Sequence, residues 1–113
     1  FVLQPIVENA IFHGIEPKSS AGDINVSLRY HGDNILIIIE DNGLGIEKNK
    51  LEKILDFTEE GNKASKAHSI GLYNVHKRLK YVYGEEYGLH IESEKDHFTR
   101  VTVTIPVEKP DIE

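Results

Sequence analysis

The sequence predicts a two-layer α/β (α+β) sandwich, a mixed but mostly antiparallel sheet with helices packed on one face. Three observations carry this prediction. Two pairs of short segments read as strands, three alternating apolar with polar residues and one a continuous aliphatic run, each pair joined by turn-forming residues. Two longer segments repeat apolar residues at helical spacing, one opening the chain and one preceding the second strand pair. At 113 residues the chain fits a single domain, one that buries about 65% of its unfolded surface.

The first predicted helix runs from Leu3 to His13, with Pro5 in the opening turn, where its missing N–H costs little. Leu3, Ile6, Val7, Ala10 and Ile11 form a core-facing stripe; Glu8, Asn9 and His13 fall off it, and Gly14 stands at the C-cap position. Residues 16–22 read as a loop. Ile24, Val26, Leu28 and Tyr30 then alternate with polar residues as in a half-buried strand. Turn residues from His31 to Asn34 join it as a hairpin to Ile35–Ile39, five aliphatic residues in a row. Such a run predicts a strand buried on both faces.

That second strand delivers Glu40 and Asp41 to its end and turns through Asn42-Gly43, with Gly45 close behind. A carboxylate there can accept a hydrogen bond from a ligand amine, while glycines let backbone approach a ligand or take positive φ. An ordinary Asn-Gly turn accounts for the same pattern. Lys48 to Leu55 suits a short helix, and Asp56 to His68 shows no apolar period, which predicts either a surface loop or a lid. From Ser69 to Tyr83 the stripe Leu72, Val75, Leu79 and Val82 marks the long helix, with Ser69 as its N-cap and Gly71 in its first turn. Free N–H groups and the positive dipole end at such a terminus suit a phosphate. Tyr87, Leu89 and Ile91, then Val101, Val103 and Ile105, predict the last two strands around a turn at Glu94–His97. Pro106 closes the final strand, so the domain spans residues 1–107 and residues 108–113 form a tail.

Composition narrows the function. With no cysteine, disulfides and thiolate metal sites are excluded. The net charge of −6 and the lack of a basic tract argue against nucleic-acid binding, which draws on phosphate neutralisation. A small anion remains compatible where a divalent cation and a helix N-terminus meet its charge. No apolar run approaches the roughly 18 residues of a membrane span. Phe1 opens inside an apolar segment, and the expectation is a domain of a longer protein.

Three blocks carry a family resemblance. LQPIVENAIFHG, Leu3 to Gly14, resembles the N box of the GHKL ATPase superfamily, which contains gyrase, the heat-shock chaperone of the ninety-kilodalton class, histidine kinases and MutL. DNGLGI, Asp41 to Ile46, resembles its G1 box, and SIGLYNVHKRL, Ser69 to Leu79, its G2 box. The wording QPIVENAIFHG, and GLYNVHKRL followed by YGEEYGLHIES, is similar to the LytS/YesM type of sensor histidine kinase. The resemblance implies the Bergerat ATP-binding fold, ATP and Mg²⁺ as cofactors, and transfer of the γ-phosphoryl group to a histidine on a separate helical domain. It further implies a downstream response regulator and a cytoplasmic domain of a protein held in the cell membrane.

The same resemblance implies residue roles. Asn9 matches the asparagine that ligates magnesium, and Glu8 the acidic residue before it, expected to orient or deprotonate the incoming histidine. His13 lies one turn on, within reach of phosphates or ribose. Asp41 matches the aspartate that accepts from the adenine amine, Gly43 and Gly45 the glycines beside the base, and Thr99 a threonine of the aspartate–water network. Ile46 and Leu72 are expected against the adenine, and Gly71 with Leu72 beside the triphosphate. Asn74 and Arg78 match subgroup positions without an assigned role. Two positions depart from the pattern: Ser69 stands where an earlier glycine is common, and Phe98 where relatives often have glycine. None of the six histidines stands in the helical context of a phospho-acceptor, so the fragment is expected not to autophosphorylate alone; the resemblance places dimerisation mainly in the helical domain, which implies a monomeric fragment. A Bergerat-fold serine kinase of the anti-sigma-factor type, or a degenerate interaction module without nucleotide, are the competing readings.

Overall fold

The computed structural model describes residues 6–8, 11, 22–55 and 70–107. Four strands, β1 (Ile24–His31), β2 (Asn34–Asp41), β3 (Gly88–Glu94) and β4 (Phe98–Pro106), form one antiparallel sheet in the order β1-β2-β4-β3. Helix α1 (Lys48–Leu55) follows β2, and α2 (Ile70–Tyr83) precedes β3. Residues 6–8 are helical, in agreement with the first predicted helix. Asn9, His13, Ser69, the Asp56–His68 stretch and the tail beyond residue 107 lie outside the described residues.

Antiparallel pairing puts residues directly opposite one another on the same face. Ile37, Val103 and Leu89 form one such row, and Ile39, Val101 and Ile91 the next. Both rows meet Leu72, Val75 and Leu79 of α2 and Ile6 of the first helical segment to form the core. Each fully buried aliphatic side chain there contributes about 1.5–3 kcal/mol of transfer free energy. The helices therefore share one face of the sheet, as the sequence predicts.

Three expectations are corrected. The aliphatic run of β2 is not buried on both faces: Leu36 and Ile38 are half-buried on the other face, flanked by Arg29 and Thr104 and by Ser27 and Thr102. β1 is not half-buried along its length, since Leu28 and Tyr30 are 71% and 77% exposed. It lies at one edge of the sheet, and α2 packs toward the other, against β3 and β4. Val82 does not continue the stripe of α2; it is exposed, and Tyr83, a full turn beyond Leu79, packs on the core instead.

The connections match their sequences. Gly32 takes a positive φ of 60° in the two-residue turn between His31 and Asn34. α2 ends where the Gly84 N–H donates to the Lys80 carbonyl at 2.9 Å. The β3–β4 hairpin turns at residues 95–97, with Asp96 in the left-handed region at φ 66°. Tyr87, before β3, donates its hydroxyl to Asn34 Oδ1 at 2.9 Å and so ties the two hairpins together.

Candidate functional site

The two apolar rows of the core face are continued by a polar one. Asp41 at the end of β2 lies opposite Thr99 of β4, and Thr99 lies opposite Ser93 of β3. Asp41 and Thr99 are 3% and 7% exposed, the two buried polar side chains among the described residues. A carboxylate is rarely buried without partners, because its desolvation is costly. Here the Gly43 N–H donates to Asp41 Oδ1 at 2.9 Å, closing a tight turn around the carboxylate. Period-two alternation along β2 puts Asp41 on the same face as Ile37 and Ile39, which explains its burial.

The loop after Asp41 is fastened on both sides. Asp23, just before β1, donates its N–H to Asn42 Oδ1 at 2.6 Å, and the Asn42 N–H returns to the Asp23 carbonyl at 3.2 Å. On the other side the Asp96 N–H donates to the Leu44 carbonyl at 2.6 Å. Gly45 makes this contact possible: its φ is 66°, and a Cβ there would fall 2.1 Å from the Glu94 carbonyl oxygen. The Ile46 N–H then donates to Ser93 Oγ at 2.8 Å, and Lys95 pairs with Glu47 at 2.9 Å. The Lys95–Glu47 pair raises the lysine pKa and lowers that of the glutamate, first through their hydrogen bond. A cavity of about 230 Å³ opens beside the loop, lined by residues including Ile46, Lys50 and Lys95 but not by Asp41.

The remaining predicted residues divide clearly. Ile46 is half-buried against the core, and Leu72, 2% exposed, is a core residue of α2. Gly71 lies in the first turn of α2, and Glu8 is half-buried in the helical segment at residues 6–8. Asn74 and Arg78 are exposed on α2. Phe98 stands on the opposite face from Asp41, its ring 4.9 Å beneath the Arg100 guanidinium. Its bulk therefore points away from the buried carboxylate, and the departure from glycine leaves the Asp41 face intact. Asn9 and His13 are outside the described residues.

Sequence reasoning missed three features. Ser93 continues the alternation of Leu89 and Ile91 on the core face, and that period-two signal was available. The row Glu40–Arg100–Glu92 on the other face, with Arg100 Nε 2.6 Å from Glu40 Oε1 and Nη1 3.4 Å from Glu92 Oε1, needs the strand register. His76 of α2 is half-buried, and its Nδ1 accepts the Leu89 N–H at 2.9 Å. Burial, reinforced by nearby Lys80 and opposed by Glu85, lowers its pKa below 6.5 and keeps the accepting neutral ring. Gly88 allows that approach, since a Cβ there would meet the imidazole Cε1 at 2.6 Å.

The described residues thus bring together a buried carboxylate and a glycine turn at a strand end, with helices on the same sheet face. The family described as histidine kinase-, DNA gyrase B- and HSP90-like ATPase matches residues 1–109, and the chain belongs to that family. Within it, the chain is 42% identical over 90 residues to the sensor histidine kinase YpdA of Escherichia coli, covering 80% of this chain and 14% of that protein. It is 35% identical over 104 residues to the sensor histidine kinase YesM of Bacillus subtilis, covering 92% of this chain and 16% of YesM. It is 35% identical over 106 residues to the sensor protein LytS of Bacillus cereus, covering 94% of this chain and 18% of LytS. These similarities agree with a GHKL domain of the LytS/YesM type, and the chain spans less than a fifth of each relative. The histidine kinase domain of a blue-light activated kinase from Erythrobacter litoralis shares the fold. It gives a TM-score of 0.61 at 19% identity, covering 93% of this chain and 41% of that one.

Proposed function

We propose that the chain is the ATP-binding catalytic domain of a two-component sensor histidine kinase, spanning residues 1–107 with a tail at 108–113. The observation that carries this reading is the buried carboxylate of Asp41, held in its turn by the Gly43 amide. A carboxylate oxygen is an acceptor, and Asp41 Oδ1 serves as one for the Gly43 N–H. Such a group suits the exocyclic amine of adenine and leaves the carbonyl of guanine unpaired.

The residues present fit a nucleotide. Thr99, Gly43, Gly45 and Ile46 surround the base end, and Gly71 and Leu72 bring the N-terminal turn of α2 toward the phosphates. Asn9 would supply an oxygen ligand to magnesium, a hard cation that keeps waters and phosphate oxygens beside its protein ligands. His13 would reach the phosphates or ribose. Glu8 would orient or deprotonate the histidine of the separate helical domain. Bound Mg-ATP supplies the transferable phosphoryl group with its charge neutralised, and this domain contributes positioning. A response regulator is the downstream partner, and the full-length protein is a membrane sensor with this domain on the cytoplasmic side.

Calorimetric titration with ATP and GTP, with and without magnesium, tests the reading. Wild type is expected to bind ATP with magnesium assistance and GTP weakly, and Asp41→Asn to lose ATP affinity by at least about tenfold. A folded domain that binds no ATP would instead favour an interaction module.

A further inference from the structure

We propose that Ser93 is the positioning residue that makes the base end of this site selective for an amine. The inference rests on the nucleotide-binding reading above and names what sets the specificity of that site. Ser93 Oγ stands 2.8 Å from three groups: the Ile46 N–H, the Phe98 carbonyl oxygen and the Thr99 hydroxyl. A serine hydroxyl has one proton and two acceptor positions. The Ile46 amide can only donate and the Phe98 carbonyl can only accept, so Ser93 must give its proton to Phe98. The Thr99 hydroxyl must then donate to Ser93. All three contacts are satisfied in this arrangement alone.

The consequence lies one strand over. With its proton turned toward Ser93, Thr99 keeps only acceptor capacity for anything on its Asp41 side. Asp41 and Thr99 are direct cross-strand partners on the same face, and Asp41 Oδ1 already acts as an acceptor, toward the Gly43 N–H. The row thus presents acceptors to a ligand, which favours a purine with a 6-amino group over one with a 6-carbonyl. Ser93 also receives the Ile46 N–H, so the same hydroxyl seats the loop that carries Gly43 and Gly45. It touches no ligand in this scheme and acts through Thr99 and Ile46.

The experiment measures ATP and ITP affinities, because the two nucleotides differ at position 6 of the purine, in wild type, Ser93→Ala, Ser93→Thr and Asp41→Asn, with thermal unfolding of each. In Ser93→Ala the Thr99 hydroxyl is released to donate, and the ATP-to-ITP affinity ratio is expected to narrow by about five- to tenfold, the scale of one hydrogen bond. Ser93→Thr keeps the hydroxyl and is expected to restore the ratio. If Ser93→Ala weakens both nucleotides equally, or only lowers the unfolding temperature, Ser93 is merely structural and the proposal fails. Should the alanine variant not fold, Ser93→Val removes the hydroxyl while keeping a strand-forming side chain, and an unchanged ratio there overturns the proposal equally. Failure of wild type to bind ATP refutes the nucleotide reading itself, whereas an Asp41→Asn variant that binds it as wild type does removes Asp41 from the base contact and overturns the acceptor row.

Discussion

Single residues of the loop after β2 carry more constraint than their size indicates. Gly45 combines a left-handed backbone with a position where no Cβ fits against the Glu94 carbonyl. Gly45→Ala is therefore expected to cost about 1–3 kcal/mol from the backbone conformation alone, with the steric overlap added to it. Urea unfolding measures the loss, and ATP titration of the folded fraction should show the site displaced; a variant with wild-type stability and affinity would refute the geometry. Asp41 is a different case. Its burial at the end of an aliphatic strand is tolerated because the turn returns a backbone donor to it, so Asp41→Asn is expected to retain the fold while losing ATP. Circular dichroism beside the titration separates the two effects.

At the scale of elements, the junction between α2 and β3 is a polar contact inside an otherwise apolar interface. His76 accepts the Leu89 N–H as a neutral ring, and folding lowers its pKa below 6.5. This contribution is fully present above pH 6.5 and is lost as the pH falls through the lowered folded-state value, because the unfolded chain then binds the extra proton more readily. Lys80 reinforces the shift and Glu85 opposes it. His76→Asn keeps an acceptor without a titrating ring, so its unfolding temperature should fall less than that of wild type between pH 7.5 and pH 5. Equal slopes would dismiss His76 as a pH-dependent element. Gly88→Ala pushes a methyl into the imidazole and is expected to destabilise by about 1–3 kcal/mol. Pairing it with His76→Ala should recover part of that loss, and strict additivity in the double-mutant cycle would show that the two residues do not touch.

Across the whole molecule, stability resides on one face of the sheet and charge on the other. Ile39, 1% exposed among α2, β4 and the first helical segment, is expected to cost about 2–5 kcal/mol when replaced by alanine. Arg100, which bridges Glu40 and Glu92 on the open face, is partly exposed, and Arg100→Ala is expected to cost below about 1 kcal/mol and less at high salt. Denaturant unfolding in low and high salt measures both, and a reversed order would place the core elsewhere. The isolated chain is expected to sediment as a monomer and to incorporate no phosphate from ATP until a helical domain with an acceptor histidine is supplied. Incorporation by the chain alone would contradict that division of labour.

Local pattern carried much of this molecule. Period-two alternation, the aliphatic run of β2 and the turn residues defined all four strands and both hairpins, and the stripe of α2 was legible through Leu79. The turn of Asp41, Gly43 and Gly45 was legible because a carboxylate followed by glycines at the end of an aliphatic run is a local signal. Strand register was not local. It is decided by which rows bury together, and it alone put Thr99 opposite Asp41, Ser93 opposite Thr99, and Arg100 between Glu40 and Glu92. Edge position was likewise a tertiary outcome: β1 has the alternation of a half-buried strand, but it lies at an edge of the sheet, and Val26, Leu28 and Tyr30 are exposed. The chain's own periodicity determined which side chains share a strand face, whereas the polarity of the Thr99 hydroxyl came only from three separate segments converging on one serine oxygen.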